Sequence, residues 1–179
     1  DYGVKHSHQL GISSGNEKSR TKVSFGYDNV DGLYVANNSW KRITARVNND
    51  IKLKKWLSTS IDLGLKHSET IEPAFSPSLR MRYAAPVYPA IFSDGRLAGG
   101  KDGENPYGKL VYGGNENSKG YQVSGKVSVD IKPFEDLTIT GVFAPIYNFS
   151  KVKRFNKQVE YYTAWDDMKS TDFMDETNT

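Results

Sequence analysis

Tyr121-Gln-Val-Ser-Gly-Lys-Val-Ser-Val-Asp-Ile131 changes polarity at every residue. Tyr121, Val123, Gly125, Val127, Val129 and Ile131 fall on one side. Gln122, Ser124, Lys126, Ser128 and Asp130 fall on the other. A period of two belongs to an extended strand with one apolar face and one wet, charged face. The stretch predicts a strand over residues 121–132, and the same alternation returns on both sides of it.

Downstream, Pro133-Phe134-Glu135-Asp136 makes a turn into a second strand, residues 137–145, with Leu137, Ile139 and Phe143 on one side. Pro145 has no amide hydrogen to give, so it is expected near a strand end or on an unpaired edge. Residues 146–179 read as a polar, aromatic loop or tail with a short helix over 160–168. Upstream, strands are predicted over 4–13, 19–28, 40–53 and 56–68. Val23, Phe25 and Tyr27 share a face, as do Ile43, Ala45 and Val47, and Ile61, Leu63 and Leu65. Between the fourth strand and the opening one lies a long loop, 69–119, rich in Gly, Pro, Tyr and Asn. There Ser76-Pro77 could cap a short helix to about Tyr83.

Connections thus alternate between tight and long, and the aromatics sort with them. Tyr27, Trp40, Tyr121 and Tyr147 lie toward the long loops, and Trp56 and Phe134 lie at the tight turns. Two aromatic borders around an aliphatic band are what the two membrane–water interfaces select, and the loop asymmetry is that of an outer-membrane barrel. The expected fold over residues 1–179 is all-β: an antiparallel up-and-down meander of about six strands, at the length and spacing of an outer-membrane β-barrel wall.

Composition agrees. The mean hydropathy is negative, as suits a wall in which every second residue meets water. No apolar run is long enough for a transmembrane helix. The chain begins at Asp1 without an apolar leader, so an export signal is expected to be removed or to lie upstream. The absence of cysteine excludes thiol chemistry and disulfides. With 24 basic and 21 acidic residues well mixed, no basic stripe argues for nucleic acid.

The ordered series Leu10-Gly-Ile-Ser-Ser-Gly-Asn-Glu-Lys18, Val23-Ser-Phe-Gly-Tyr27, Asp31-Gly-Leu33, Trp40-Lys-Arg42, Val47-Asn-Asn-Asp-Ile-Lys52, Lys55-Trp-Leu57 and Asp62-Leu-Gly-Leu65 resembles the SusC/RagA-like TonB-dependent receptors of Bacteroidetes outer membranes. Asp94-Gly95, Asn105-Pro106 and the hairpin from Gly120 to Thr140 continue the likeness, which is clearest in the first seventy residues. The resemblance implies a large barrel, of which six strands would be a fragment lacking the plug. It also implies uptake of oligosaccharides or peptides powered through TonB, and a SusD-like lipoprotein over the outer face. Localisation would be the outer membrane of a Gram-negative bacterium, in contact with its lipid. Removed from such a wall, the fragment is expected to self-associate through its free edges and apolar face.

Candidate sites are few. His6 and His8 project to one side, with only a distant His67 as a third ligand, so rim histidines without metal are expected. Asp94-Gly95, Asp102-Gly-Glu-Asn105 and Asp28-Asn-Val-Asp31 are oxygen-rich but lack the spacing of a calcium loop and read as turns. Asp62, Asp130, Glu135 and Asp136 could suggest a glycosidase pair. Cross-strand pairing with Lys66, Lys126 and Lys132 explains them better, and no nucleophile elbow or phosphate loop is present. No enzyme, cofactor or metal is expected. In the long loop, Tyr83, Tyr88, Tyr107 and Tyr112 stand among Arg80, Arg82, Asp94 and Asn105. Aromatic platforms beside planar polar groups suit sugars, so Tyr83, Tyr88, Tyr107, Tyr112, Arg80 and Arg82 are the candidate ligand or partner contacts. The competing reading is that these tyrosines fold the loop on itself. Two rival architectures remain: a complete small β-barrel or a β-sandwich, binding a ligand or carbohydrate.

Overall fold

The computed structural model describes residues 2–33, 35–76, 81–82, 84–100, 105–162 and 169–172. In chain order its elements are β1 (Lys5–Gly15), β2 (Ser19–Asp31), β3 (Ser39–Lys54), β4 (Leu57–Pro73), α1 (Pro106–Tyr112), β5 (Gly114–Phe134), β6 (Leu137–Phe143), β7 (Ile146–Asn156), β8 (Val159–Tyr162) and β9 (Lys169–Asp172). The strands β1 to β6 pair consecutively and antiparallel, with β7 also on β5, and β8 pairs with β9 in a small second sheet. The fold is an all-β up-and-down meander. Its sheet is open: β1 pairs with β2 alone, and β6 and β7 pair with β5 alone.

Tight turns join β1 to β2, β3 to β4 and β5 to β6 at one end. In the first of them the Asn16 side chain accepts the amides of Lys18 and Ser19, both at 2.9 Å. The register slips by one residue beside the other two, between Lys52 and Lys54 and between Ile131 and Phe134. All long connections leave from the opposite end.

The register assembles residues from six strands into rows. Leu10, Phe25, Ala45, Leu65, Val123 and Tyr147 are serial partners across the sheet. The next row toward the tight turns is Ile12, Val23, Val47, Leu63, Gly125 and Pro145. Partners face the same side, so these rows form one continuous apolar face. Among its polar members, the Asn49 amide donates to Thr21 Oγ1 at 2.6 Å. Nothing covers this face among the described residues; Leu10 is 64% and Leu65 57% exposed. The other face carries Ser7, Asp28 and Arg42 in one row and Arg46 and Asp62 in diagonal contact. Asp28 accepts from the Ser7 hydroxyl at 2.7 Å and from Arg42 Nε at 3.0 Å. Arg46 Nε reaches Asp62 Oδ1 at 2.8 Å.

Several expectations shift. Residues 146–179 are not simply a tail: β7 extends the sheet beside β5. Pro145 lies where it was expected, just past the end of β6 at Phe143 and on the edge of the sheet. β7 resumes beyond it in the register that β6 kept on β5, and the Gly125 amide donates to the Pro145 carbonyl at 2.9 Å across the break. β4 and β5 run further than predicted, so the long loop is 74–113 rather than 69–119. Asp28 to Asp31 lie within β2, not in a loop. Residues 159–162 form a strand, not the start of a helix, and 163–168 lie outside the described residues. Of the helix expected from Ser76 to Tyr83, residues 77–80 and 83 also lie outside them.

The buried apolar side chains are Ala74, Phe75, Ala98, Leu110, Val159 and Tyr161. None belongs to the seven-stranded sheet. The compact core sits in a cap built from the long loop and β8, at the long-loop end of the wall.

Candidate functional site

The cap is organised by Asn105. Its backbone is extended, and its side-chain oxygen accepts the Gly108 amide at 3.0 Å, closing the first turn of α1 with Pro106 at the first helical position. The same side chain donates to the carbonyls of Ala90 and Ala98 at 2.6 and 2.7 Å. At 3% exposure, Asn105 fills its hydrogen-bonding capacity almost entirely inside the cap. Ala90 and Ala98 close a loop whose turn is Asp94-Gly95, with Gly95 at φ +88°, a conformation that favours glycine. The Asp94 carboxylate accepts the Arg96 amide at 3.0 Å and Arg96 Nε at 2.7 Å, and these bonds hold its pKa below the ordinary carboxylate value. Asp94-Gly95 is therefore a turn.

β8 locks onto this loop. Tyr162 donates its amide to Leu97, and Gly99 donates to Tyr162, at 3.0 and 2.8 Å. Arg96 lies over the Tyr162 ring at 5.2 Å from its centroid. Tyr161 is fully buried, and its hydroxyl donates to the Asn105 carbonyl at 3.4 Å. Gly108 lets the ring in: a Cβ there would stand 2.8 Å from Tyr161 Cε1 and 3.2 Å from Leu97 Cδ1.

Between the cap and the end of the wall lies an open cleft of about 500 Å³. Tyr112, Asn37, Asn115, Phe155, Lys157 and Gln158 line it with Pro73 and the end of α1. Pro73, Asn115 and Phe155 are register partners, so the cleft opens on the apolar face of the sheet, beyond the end of its greasy rows. Three side-chain amides, two aromatic rings and one ammonium can hold hydroxyl-bearing rings and anions; no carboxylate lines it.

The six expected contacts separate. Tyr112 is exposed and lines the cleft, while Tyr107, five residues earlier on α1, is half-buried on another side of the helix. Tyr88 and Arg82 are exposed elsewhere on the loop. Arg80 and Tyr83 lie outside the described residues, as do Asp102 to Glu104. Asn105, grouped with the candidates, is a buried structural node. Asn37, Asn115, Phe155, Lys157 and Gln158 were missed. The alternation Tyr147, Phe149, Lys151, Lys153, Phe155 was the available signal, passed over once residues 146–179 were read as a tail.

Along the same face, one row crosses the sheet as His8, Tyr27, Ile43, His67, Tyr121 and Phe149. Rings stack along it: His8 on Tyr27 with centroids 6.4 Å apart, His67 on Tyr121 at 4.5 Å, and Tyr121 beside Phe149 at 6.1 Å. The histidines are thus part of an aromatic border. His6 stands opposite Asn29 in the next row. Trp40 pairs with Val30 and faces the polar side, and Tyr147 stands one row below, so Phe149 occupies the place expected of Tyr147. Asp62 stands directly opposite Lys126, as expected of a cross-strand charge pair, and pairs with Arg46 rather than Lys66, while Asp130 accepts the Thr140 hydroxyl at 2.7 Å. No family model and no curated protein matches this chain.

Proposed function

We propose that this chain is a wall-and-loop segment of a TonB-dependent outer-membrane nutrient receptor of the SusC-like kind. It would help import oligosaccharides or peptides, with a SusD-like lipoprotein over the outer face. One observation carries the membrane reading: a six-strand-wide apolar face is exposed below an aromatic row. From His67 to Leu57, β4 spans eleven residues. At about 3.3 Å per residue and a tilt near 45°, that is about 25 Å of bilayer. Lipid tails suit such a face, whereas water would penalise it at roughly 25 cal/mol per Å² of apolar surface. The ionic rows on the other face would line a hydrated interior, and β1 and β7 would continue into neighbouring strands. The ordered resemblance of the segments supports the cargo class, the lipoprotein and TonB coupling.

The test uses single tryptophans, with Trp40, Trp56 and Trp165 replaced by Phe, in vesicles of lipids brominated near the chain ends. Val47→Trp, on the apolar face, is expected to be quenched strongly, and Ser24→Trp, on the polar face, weakly. Equal quenching at both sites, or none, overturns the wall. Binding of an oligosaccharide library against a peptide library by the whole polypeptide separates the two cargo classes. Failure to bind either overturns the receptor reading.

A further inference from the structure

Resting on the reading of the apolar face as lipid-facing, we infer that the same face, just above its aromatic row, binds the headgroup of a phosphorylated glycolipid in the adjoining leaflet. β7 carries the argument. Its apolar-face residues are Tyr147, Phe149, Lys151, Lys153 and Phe155, in that order away from the greasy rows. Alternate residues on a strand are about 6.7 Å apart, so Phe149 to Phe155 covers about 20 Å along β7. Phe149 ends the aromatic row at the depth where rings meet headgroups. Lys151 follows, directly opposite Lys119 on β5, and then Lys153, opposite Asn117.

The charge of this strip is unbalanced. The row through Lys151 holds Lys41, Glu69 and Lys119, and the row through Lys153 holds one acid, Asp31, at its far end on β2. Glu69 is already engaged by Lys119 Nζ at 3.2 Å and by the Asn117 amide at 2.9 Å. Glu72 and Glu116 belong to the opposite face by register, and Glu116 pairs there with Arg154 Nη2 at 2.6 Å. Lys151 and Lys153 are exposed, and beyond them Lys157 lies at the mouth of the cleft. An anionic group resting on the aromatic row would meet this ladder of ammonium groups.

The cleft decides between a bare phosphate and a sugar-bearing headgroup. It lies at the far end of the ladder, and its lining adds the amides of Asn37, Asn115 and Gln158 and the rings of Tyr112 and Phe155. The amides would serve a phosphate or a sugar hydroxyl alike, but aromatic faces contribute little to a phosphate and match the apolar faces of pyranose rings. One ligand satisfies the whole column: acyl chains on the greasy rows, phosphates on Lys151 and Lys153, sugars in the cleft. Cargo passing through the interior would run along the opposite face, so Tyr112 is assigned here to lipid rather than to cargo.

The experiment titrates the full-length protein, in uncharged detergent, with a phosphorylated glycolipid and with the same glycolipid after enzymatic dephosphorylation. A lysine near an anionic lipid surface is worth about fivefold in affinity, so Lys151→Gln with Lys153→Gln is expected to weaken binding roughly 25-fold. Lys54→Gln with Lys55→Gln, at the tight-turn end, is the fold-matched control and is expected to change nothing. Tyr112→Ala is expected to weaken the phosphorylated and dephosphorylated glycolipids by the same factor. Unchanged binding by the β7 double variant, equal affinity for the dephosphorylated lipid, or full displacement by millimolar inorganic phosphate overturns the inference. If the bromine-quenching test fails, the wall itself is wrong. If it succeeds while the lysine variants bind normally, the headgroup site alone is wrong.

Discussion

The seven-stranded wall and the cap at its end solve the burial problem in opposite ways. In the wall, Leu10, Val47, Leu63 and Leu65 stand exposed on an ordered sheet held by continuous antiparallel ladders. In the cap, a few short segments without a large sheet bury Ala98, Leu110, Val159 and Tyr161 almost completely. Hydrogen bonds set the wall's geometry and leave its apolar face to be covered by something outside these residues. Side-chain packing sets the geometry of the cap, and Asn105 satisfies the backbone groups that packing would strand. The wall's stability should therefore depend on its solvent and the cap's on internal fit.

The largest effect is expected in the cap. Tyr161→Ala removes a fully buried ring, and such truncations cost about 3–5 kcal/mol. Hydrogen exchange should rise sharply at the amides of Gly99 and Tyr162, which join β8 to the loop, while β2–β4 amides keep their protection. Loss of protection across the wall as well would mean that the two regions fold as one unit, and the comparison would fall.

Next is a charge in the middle of the greasy rows. Val47→Arg lies at mid-depth of the apolar face, where an arginine in a barrel wall costs about 2–4 kcal/mol in lipid. Urea unfolding from vesicles should reveal that loss, with cap protection unchanged. The same substitution at Asn48, on the polar face, should cost well under 1 kcal/mol. Equal costs at Val47 and Asn48 would remove the distinction between the two faces.

The wall was legible in the sequence because a strand's period is local: the faces of Tyr121 to Ile131 are readable without knowing any partner. The cross-strand rows were not legible in the same way, because two joins are long and two tight turns shift the register by one residue. Pro145 was legible too, as a residue without an amide donor at the end of β6 on the sheet edge, but the strand that resumes after it was not. In the structure β7 returns to β5 in the same register beyond the break at Ala144-Pro145. The cap was opaque for the complementary reason. Tyr161 and Asn105 are 56 positions apart, and neither flank has a period that predicts their meeting. Asn105-Pro106 did carry a helix-start signal, but nothing local indicated that the Asn105 amide would also bind two carbonyls. The cleft inherits both failures, being half cap and half the strand that was read as tail.

The smallest predicted effect separates the regions most cleanly, because one chemical change has opposite signs in them. Gly125 lies opposite Pro145 in the wall, and a Cβ there would be 3.6 Å from Pro145 Cγ and 3.8 Å from Leu63 Cδ2, ordinary contact distances. Gly125→Ala should therefore stabilise by up to about 0.5–1 kcal/mol, since alanine loses less backbone freedom on folding. Gly108→Ala gains a similar amount from helix propensity. It also drives a methyl against the buried Tyr161 ring and Leu97, and overpacking of that kind costs about 1–3 kcal/mol. A net loss of about 1 kcal/mol is expected, confined to the cap's hydrogen exchange, against a small gain in the wall's urea midpoint. Two gains would mean that the cap yields as readily as the wall. Two losses would mean that the wall is packed from outside at Gly125, by a layer of protein rather than by lipid.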